Sequence, residues 1–319
     1  MPRHPSSSLV AAALLLCGGP RSAPADEPSG SDLYRQHCAE CHGVDRLGGT
    51  GPALLPESFH RHKRGDAATI TAGRPATQMP GFGEKLSDKE ISVLTDLIYR
   101  PPPSVPEWSV AEIEASRVIH NTHSSLPDRP VYDADPLNLF TVVEAGDHHV
   151  TILEGDRFEP LWRFQSHFAL HGGAKYSPDG RFVYLGSRDG WVGKYDLWGL
   201  RPVAEVRAGI NLRNIAVSAD GRWVMVGNFL PATLVVLDAG DLRPVKVIPV
   251  DDGKGVRSRV SAVYTAPPRS SFLVALKDIP QLWEISYAVH PAPVPKGFVH
   301  NYQPGMLEGV PGTQRRTSP

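Results

Sequence analysis

A repeat of roughly 40 residues in the second half of the chain constrains the fold most. Ser177-Pro178-Asp179-Gly180-Arg181-Phe182-Val183 recurs as Ser218-Ala219-Asp220-Gly221-Arg222-Trp223-Val224. The two copies stay in step through Gly186 and Gly227, Asp196 and Asp238, and Leu200-Arg201-Pro202-Val203 and Leu242-Arg243-Pro244-Val245. That period is the length of one four-stranded propeller blade, and each copy reads as strands joined by Asp-Gly and related turns. Weaker copies start near Leu139 and Val260. Thirty Gly and 31 Pro among 319 residues suit a turn-rich β architecture and exclude a mainly helical protein.

The first hundred residues follow a different pattern. Cys38-Ala39-Glu40-Cys41-His42 is a C-x-x-C-H pentapeptide. Two thiols so spaced can each add across a haem vinyl group, and the following imidazole then reaches the iron. A zinc site would need a second Cys/His pair, and Cys17 is the only other cysteine. A thioredoxin-like pair would want a βαβ context that is missing. The motif therefore predicts one covalently attached haem c on Cys38 and Cys41, with His42 on the iron.

Asp32 to His37 should lead into the motif as a short helix capped by Ser31, and Gly48 to Leu54 should form a Gly-rich loop at a haem edge. Ser87-Asp88-Lys89-Glu90 looks like a capping box opening a helix with Ile91, Leu94, Leu97 and Ile98 on one face. Met79, in Met79-Pro80-Gly81-Phe82, is the candidate sixth iron ligand; the competing reading is ordinary core packing. Together these segments, over about residues 30–100, resemble a small class I cytochrome c. His/Met ligation would leave no open iron position, which implies electron transfer.

Residues 1–25 read as an export signal: Arg3 and His4, an apolar run Leu9–Leu16, and Ala23-Pro24-Ala25 for cleavage. Leu16 is too large to precede a lipidated Cys17, so cleavage is expected after Ala25. The apolar run is too short to span a bilayer, and no other segment could. The periplasm is the expected location, and a net charge of −1 gives no reason to expect nucleic acid as a partner. His60 to Arg64 is a basic run, read as a solvated loop or a docking patch. The expected organisation is a cytochrome domain over 26–100, a Pro-rich linker over 101–136 with a short helix from Val110 to Ile119, and a partial β-propeller over 137–319. About four of eight blades fit that length, and the irregular tail reads as an early stop.

The blade segments His171-Gly172-Gly173-Ala174-Lys175-Tyr176 and Ser187-Arg188-Asp189-Gly190-Trp191-Val192, behind a haem c domain, resemble the cytochrome cd1 family. Residues 209–218 and 226–231 look closer to its haem d1 biosynthesis members than to its nitrite reductase. The attached cytochrome domain points to the branch that oxidises dihydro-haem d1. The resemblance covers about residues 30–310.

The resemblance implies a propeller that holds haem d1 or dihydro-haem d1, with His171 as axial iron ligand and Arg188 and Arg213 meeting the macrocycle carboxylates. The competing readings are a turn histidine and blade-edge salt bridges. Arg207 and Lys194 are weaker candidates; His148, His149 and His167 read as surface or turn residues. The implied activity removes two electrons and two protons from a propionate side chain to leave an acrylate, and passes the electrons through haem c to a periplasmic acceptor. The implied partners are other proteins of haem d1 biosynthesis or nitrite reduction. Alternatives are a cd1-type nitrite reductase and a non-catalytic d1-binding or electron-transfer protein. The family's later blades supply further pocket residues, so no catalytic base is assigned.

Overall fold

A computed structural model describes residues 28–59, 63–75, 77–104, 106–293 and 314–317. The expected export signal and His60, Arg61 and His62 of the basic run lie outside the described residues.

The N-terminal unit is helical. Helix α1 (Gly30–His37) is capped by Ser29, two residues before the expected Ser31; its hydroxyl accepts from the Asp32 N–H. Cys38 leaves helical geometry (φ −122°), so the motif sits on a separate short helix, α2 (Ala39–His42). Helix α3 (Lys63–Ala72) begins inside the basic run. Helix α4 (Asp88–Ile98) opens on the expected capping box, in which Ser87 and Glu90 satisfy each other's backbone N–H groups. Its apolar face, Ile91, Leu94 and Ile98, packs on Leu33 and Tyr34 of α1.

The segment after Arg100 joins the β region instead of merely connecting to it. Helix α5 (Val110–Ala115) stops short of the expected Ile119, and strand β1 (Val118–Ile119) pairs antiparallel with a blade strand. Ile113 and Leu126 are buried in the same core as the blades.

Four sheets follow. The first holds β2 (Leu139–Glu144), β3 (His149–Glu154) and β4 (Pro160–Gln165). The second holds β5 (Lys175–Tyr176), β6 (Phe182–Gly186), β7 (Trp191–Asp196) and β8 (Arg201–Arg207), with β1 as a fifth strand outside β8. The third is β9 (Asn211–Val217), β10 (Trp223–Leu230), β11 (Thr233–Asp238) and β12 (Pro244–Pro249). The fourth is β13 (Val260–Ala266), β14 (Ser271–Leu276) and β15 (Leu282–Ser286), with β16 (Gln314–Thr317) parallel to β15.

The repeat maps onto equivalent turns. Gly180 and Gly221 take positive φ (75° and 71°) between first and second strands, where the Asp179 and Asp220 carboxylates accept from Ser177 and Ser218. Leu200 and Leu242 both adopt left-handed backbone between third and fourth strands. Central strands β6 and β10 are buried on both faces, because each sheet lies between two neighbours. Separate apolar cores fill the spaces between the first and second, second and third, and third and fourth sheets. An all-α cytochrome-type unit followed by propeller blades is thus the fold class read from the sequence.

Candidate cofactor sites

In the helical unit, His42 is buried (7 % exposed) and its Nδ1 lies 2.8 Å from the Pro52 carbonyl. A carbonyl can only accept, so Nδ1 carries the proton and Nε2 keeps its lone pair. Burial lowers the His42 pKa, outweighing the carbonyl, and so favours the neutral ring. Gly51 lies against that ring: a Cβ there would be 2.8 Å from Cε1 and 2.9 Å from Nδ1. The Gly-rich loop therefore fits the imidazole as closely as backbone allows.

Cys38 and Cys41 are both free, Cys41 at the surface and Cys38 half-buried. Burial, with Cys41 close by, pushes the Cys38 thiol up to about 11. A thiol raised in this way stays protonated, which disfavours a thiolate metal site. Among the described residues, no cluster of three or more His, Cys, Asp or Glu side chains could hold a metal ion. Met79 packs with Cys38 against the core of Leu33, Tyr34 and Phe82. These residues fit a haem attached at Cys38 and Cys41.

The second site lies on the blades. Gly172 and Gly173 both have positive φ (85° and 72°), which carries the chain from His171 into β5. The His171 backbone N–H donates to Gly186, and the Arg188 N–H to Ala169, so the loop is laced to the second sheet. His171 Nδ1 is 2.8 Å from the Arg213 carbonyl and Nε2 is 2.7 Å from Arg213 Nη1. Burial is the first cause of a lowered His171 pKa, and the charges of Arg213 and Arg188 add to it.

Four cations surround one aromatic face. Arg188, Arg213, Arg259 and Lys277 lie 6.0, 5.6, 5.4 and 5.8 Å from the Phe229 ring centroid. Arg259 is neutralised by Asp278 at 2.6 Å. Among the described residues no carboxylate pairs with Arg188 or Arg213, which counts against their salt-bridge reading, while Lys277 sits in the field of Asp278. Phe229 itself is buried (5 % exposed), so what this patch offers a ligand is its cations, which suit anionic groups. The sequence reading missed Phe229, Arg259 and Lys277. Arg188 and Lys277 both follow the second strand of their sheets, a correspondence that carrying the repeat into the weak fourth copy would have shown.

The weaker candidates have other uses. Lys194 is buried, donates to the Ala239 and Gly240 carbonyls at 2.9 Å each, and so ties the second sheet to the third. Arg207 donates to the Asp189 carbonyl at 2.8 Å and to the Leu47 carbonyl of the helical unit. His148 is a turn residue with positive φ, but it is buried (9 % exposed) and not at the surface. His149 lies at a sheet end near Asp147. His167 stacks on Trp191, 4.4 Å between centroids, and its Nε2 is 2.8 Å from Glu205. His148 and His167 line a cavity of about 300 Å³ that Gly49, Thr50 and Gln78 of the helical unit close from the other side.

A haem-attachment helix joined to propeller blades, with an imidazole and a cation cluster on the blade face, defines a two-cofactor architecture. The cytochrome D1 heme domain family matches residues 134–299, and the family of subunit III of cbb3-type cytochrome c oxidase matches residues 25–98. The chain belongs to the cytochrome D1 heme domain family. It is 61 % identical over 267 residues to a dihydro-heme d1 dehydrogenase of Pseudomonas aeruginosa, covering 83 % of this chain and 54 % of that protein. It is 24 % identical over 305 residues to a nitrite reductase of Stutzerimonas stutzeri, covering 88 % of this chain and 54 % of that one. The solved structure of dihydro-heme d1 dehydrogenase NirN in complex with DHE superposes with a TM-score of 0.76 at 60 % identity, covering 82 % of this chain and 56 % of that chain. The chain thus spans about half the length of these relatives. No helix among the described residues is long and apolar enough to cross a membrane.

Proposed function

We propose that the chain binds dihydro-haem d1 on the Phe229 face and oxidises it to haem d1 in the periplasm, with haem c receiving the electrons. The observation that carries this reading is His171, an imidazole with Nδ1 tied to a carbonyl and Nε2 facing a cation cluster in which Arg188 and Arg213 have no carboxylate partner among the described residues. The likeness to a dihydro-heme d1 dehydrogenase, far above that to the nitrite reductase, supports the choice of reaction.

In this reading His171 is the axial ligand of the substrate iron. Arg188 and Arg213 hold peripheral carboxylates through bidentate hydrogen bonds, with Lys277 a third cation for them. Phe229, buried beneath them, packs against the cations that meet those carboxylates. On the helical unit Cys38 and Cys41 would anchor haem c, with His42 and Met79 as its iron ligands. Haem c would supply one-electron redox chemistry there. The chain's own contribution is orientation and charge complementarity. Its electron acceptor is a periplasmic redox protein, and its working partners are other proteins of haem d1 biosynthesis.

The test is to mature the chain with haem c, add dihydro-haem d1, and follow the absorption spectrum with and without an oxidant. Binding followed by a shift to the acrylate product supports the dehydrogenase. One observation favours a second reading as a carrier: among the described residues, no unpaired carboxylate faces the Phe229 cluster to act as a base. Stable binding without conversion would favour that carrier, and stoichiometric d1 with nitrite turnover would favour the reductase.

A further inference from the structure

Arg213 engages both ring nitrogens of His171. Its backbone carbonyl takes the Nδ1 proton at 2.8 Å, and its Nη1 donates to Nε2 at 2.7 Å. A guanidinium stays protonated and cannot accept, so the second contact occupies the Nε2 lone pair. Iron needs that same lone pair. The Arg213–Nε2 bond and iron ligation by His171 therefore exclude each other.

The guanidinium is otherwise lightly held. Its Nε reaches the Ser261 carbonyl at 3.3 Å, and it lies 5.6 Å from the Phe229 centroid. The neighbouring charges are mostly cations: Arg188 has no carboxylate partner among the described residues, while Asp278 meets Arg259 and also feels Lys277. A carboxylate entering this cluster offers Arg213 a bidentate, charge-assisted partner in place of a single neutral nitrogen. The backbone carbonyl remains on Nδ1 throughout, so the ring keeps its tautomer and orientation when the guanidinium leaves.

We propose that Arg213 determines specificity by latching His171: a tetrapyrrole gains iron ligation when its peripheral carboxylate draws the guanidinium off Nε2, and one without a carboxylate does not. This rests on the reading of His171 as iron ligand. It assigns the chain a preference for carboxylate-bearing iron tetrapyrroles that simple charge attraction would not produce, because here the anion also frees the ligand.

The experiment uses the full chain carrying haem c, titrated with ferric deuteroporphyrin and with its dimethyl ester in the same micellar buffer. Iron–imidazole ligation is read by absorption and electron paramagnetic resonance, after subtraction of the haem c signal. The wild type should ligate the free acid at least about tenfold more tightly than the ester, the worth of one charge-assisted hydrogen bond. Arg213→Met should bind the ester about tenfold more tightly than the wild type does and lose most of the preference, Arg188 and Lys277 keeping only their plain charge attraction. Plain charge attraction predicts instead that Arg213→Met weakens the acid and leaves the ester unchanged; that result overturns the latch, as does equal ligation of both porphyrins by the wild type. Arg213→Gln, which keeps a polar side chain, is the parallel variant should Arg213→Met not fold. His171→Ala separates the two levels: ligation unchanged in that variant removes the reading of His171 itself, whatever Arg213 does.

Discussion

Replacing Gly51 by alanine tests how closely the haem c loop is fitted to its histidine. The added Cβ would be 2.8 Å from His42 Cε1 and 2.9 Å from Nδ1, with the Cys41 carbonyl at 3.3 Å. Carbon contacts settle at about 3.5 Å or more, so the ring must retreat by roughly 0.7 Å. A retreat of that size stretches the 2.8 Å bond to Pro52 to the limit of a hydrogen bond. Overpacking costs about 1–3 kcal/mol, and the lost hydrogen bond about 1 more. Gly51 has no positive φ, so backbone strain does not enter. The assay is denaturant unfolding of the haem c-loaded chain, with the haem c potential measured alongside. We expect a loss of about 2–4 kcal/mol and a shifted potential. The control is Gly253→Asn, at a left-handed position with nothing within 4 Å, which should be nearly neutral. Stability within about 0.5 kcal/mol of the parent and an unchanged potential would show that the loop does not position His42.

Arg46→Met should cost about 2 kcal/mol in denaturant unfolding, because the buried guanidinium holds the Leu97 and Arg100 carbonyls at 2.7 and 3.1 Å at the end of α4. Burial pulls the Lys194 ammonium from 10.5 down to about 8, so between those values the unfolded chain binds the extra proton and stability rises with pH. The stability difference between wild type and Lys194→Met should therefore move in favour of the wild type by up to about 3 kcal/mol across that window, and a flat difference from pH 7.5 to 10 would refute it. Hydrogen bonding to Arg259 holds Asp278 down at about 2, so its contribution is present above the ordinary 3.8 and disappears as pH falls through 2. Both partners are about 30 % exposed, which leaves about 1 kcal/mol after screening; acid unfolding of Asp278→Asn should lack that component.

What the sequence made legible were features carried by spacing. The Ser-x-Asp-Gly-Arg repeat could be matched because its turns need a carboxylate and a positive-φ glycine at fixed offsets, and the structure puts Gly180 and Gly221 in that conformation. The capping box at Ser87 was legible for the same reason. Features that arise between elements were not. Phe229 is apolar in a strand and looks like core, and its meaning comes from cations contributed by three different sheets. Residues 101–136 look like a linker because prolines dominate their start. Nothing local shows that Val118 and Ile119 pair with Glu205 and Ala204, or that Asn121 reaches the Pro202 carbonyl at 2.8 Å. Arg207 looked like one more basic residue near a candidate site, since its partners are backbone carbonyls, which leave no trace in a sequence.

Those partners make Arg207 more than a brace. Its guanidinium reaches Leu47, five residues beyond His42, and Asp189, next to Arg188, while Trp108 Nε1 donates to its own carbonyl at 2.8 Å. One side chain thus spans from the loop that follows the haem c motif to the turn that presents a cation to the Phe229 face. Its ring contact with Trp108, at 4.9 Å, and the apolar cluster of Ala53, Leu55, Ile210 and Leu230 close the same seam. Under the proposed function, electron transfer between the two sites requires a fixed separation, and two rigid units joined only by a proline-rich tether would not give one. Here the tether is itself part of the second sheet, and the seam is sealed by a half-buried cation whose hydrogen bonds go to main-chain carbonyls on both sides. Loosening that seam would change the distance between the two sites without touching either, which makes the position of Arg207 a property of the pair of sites and not of one.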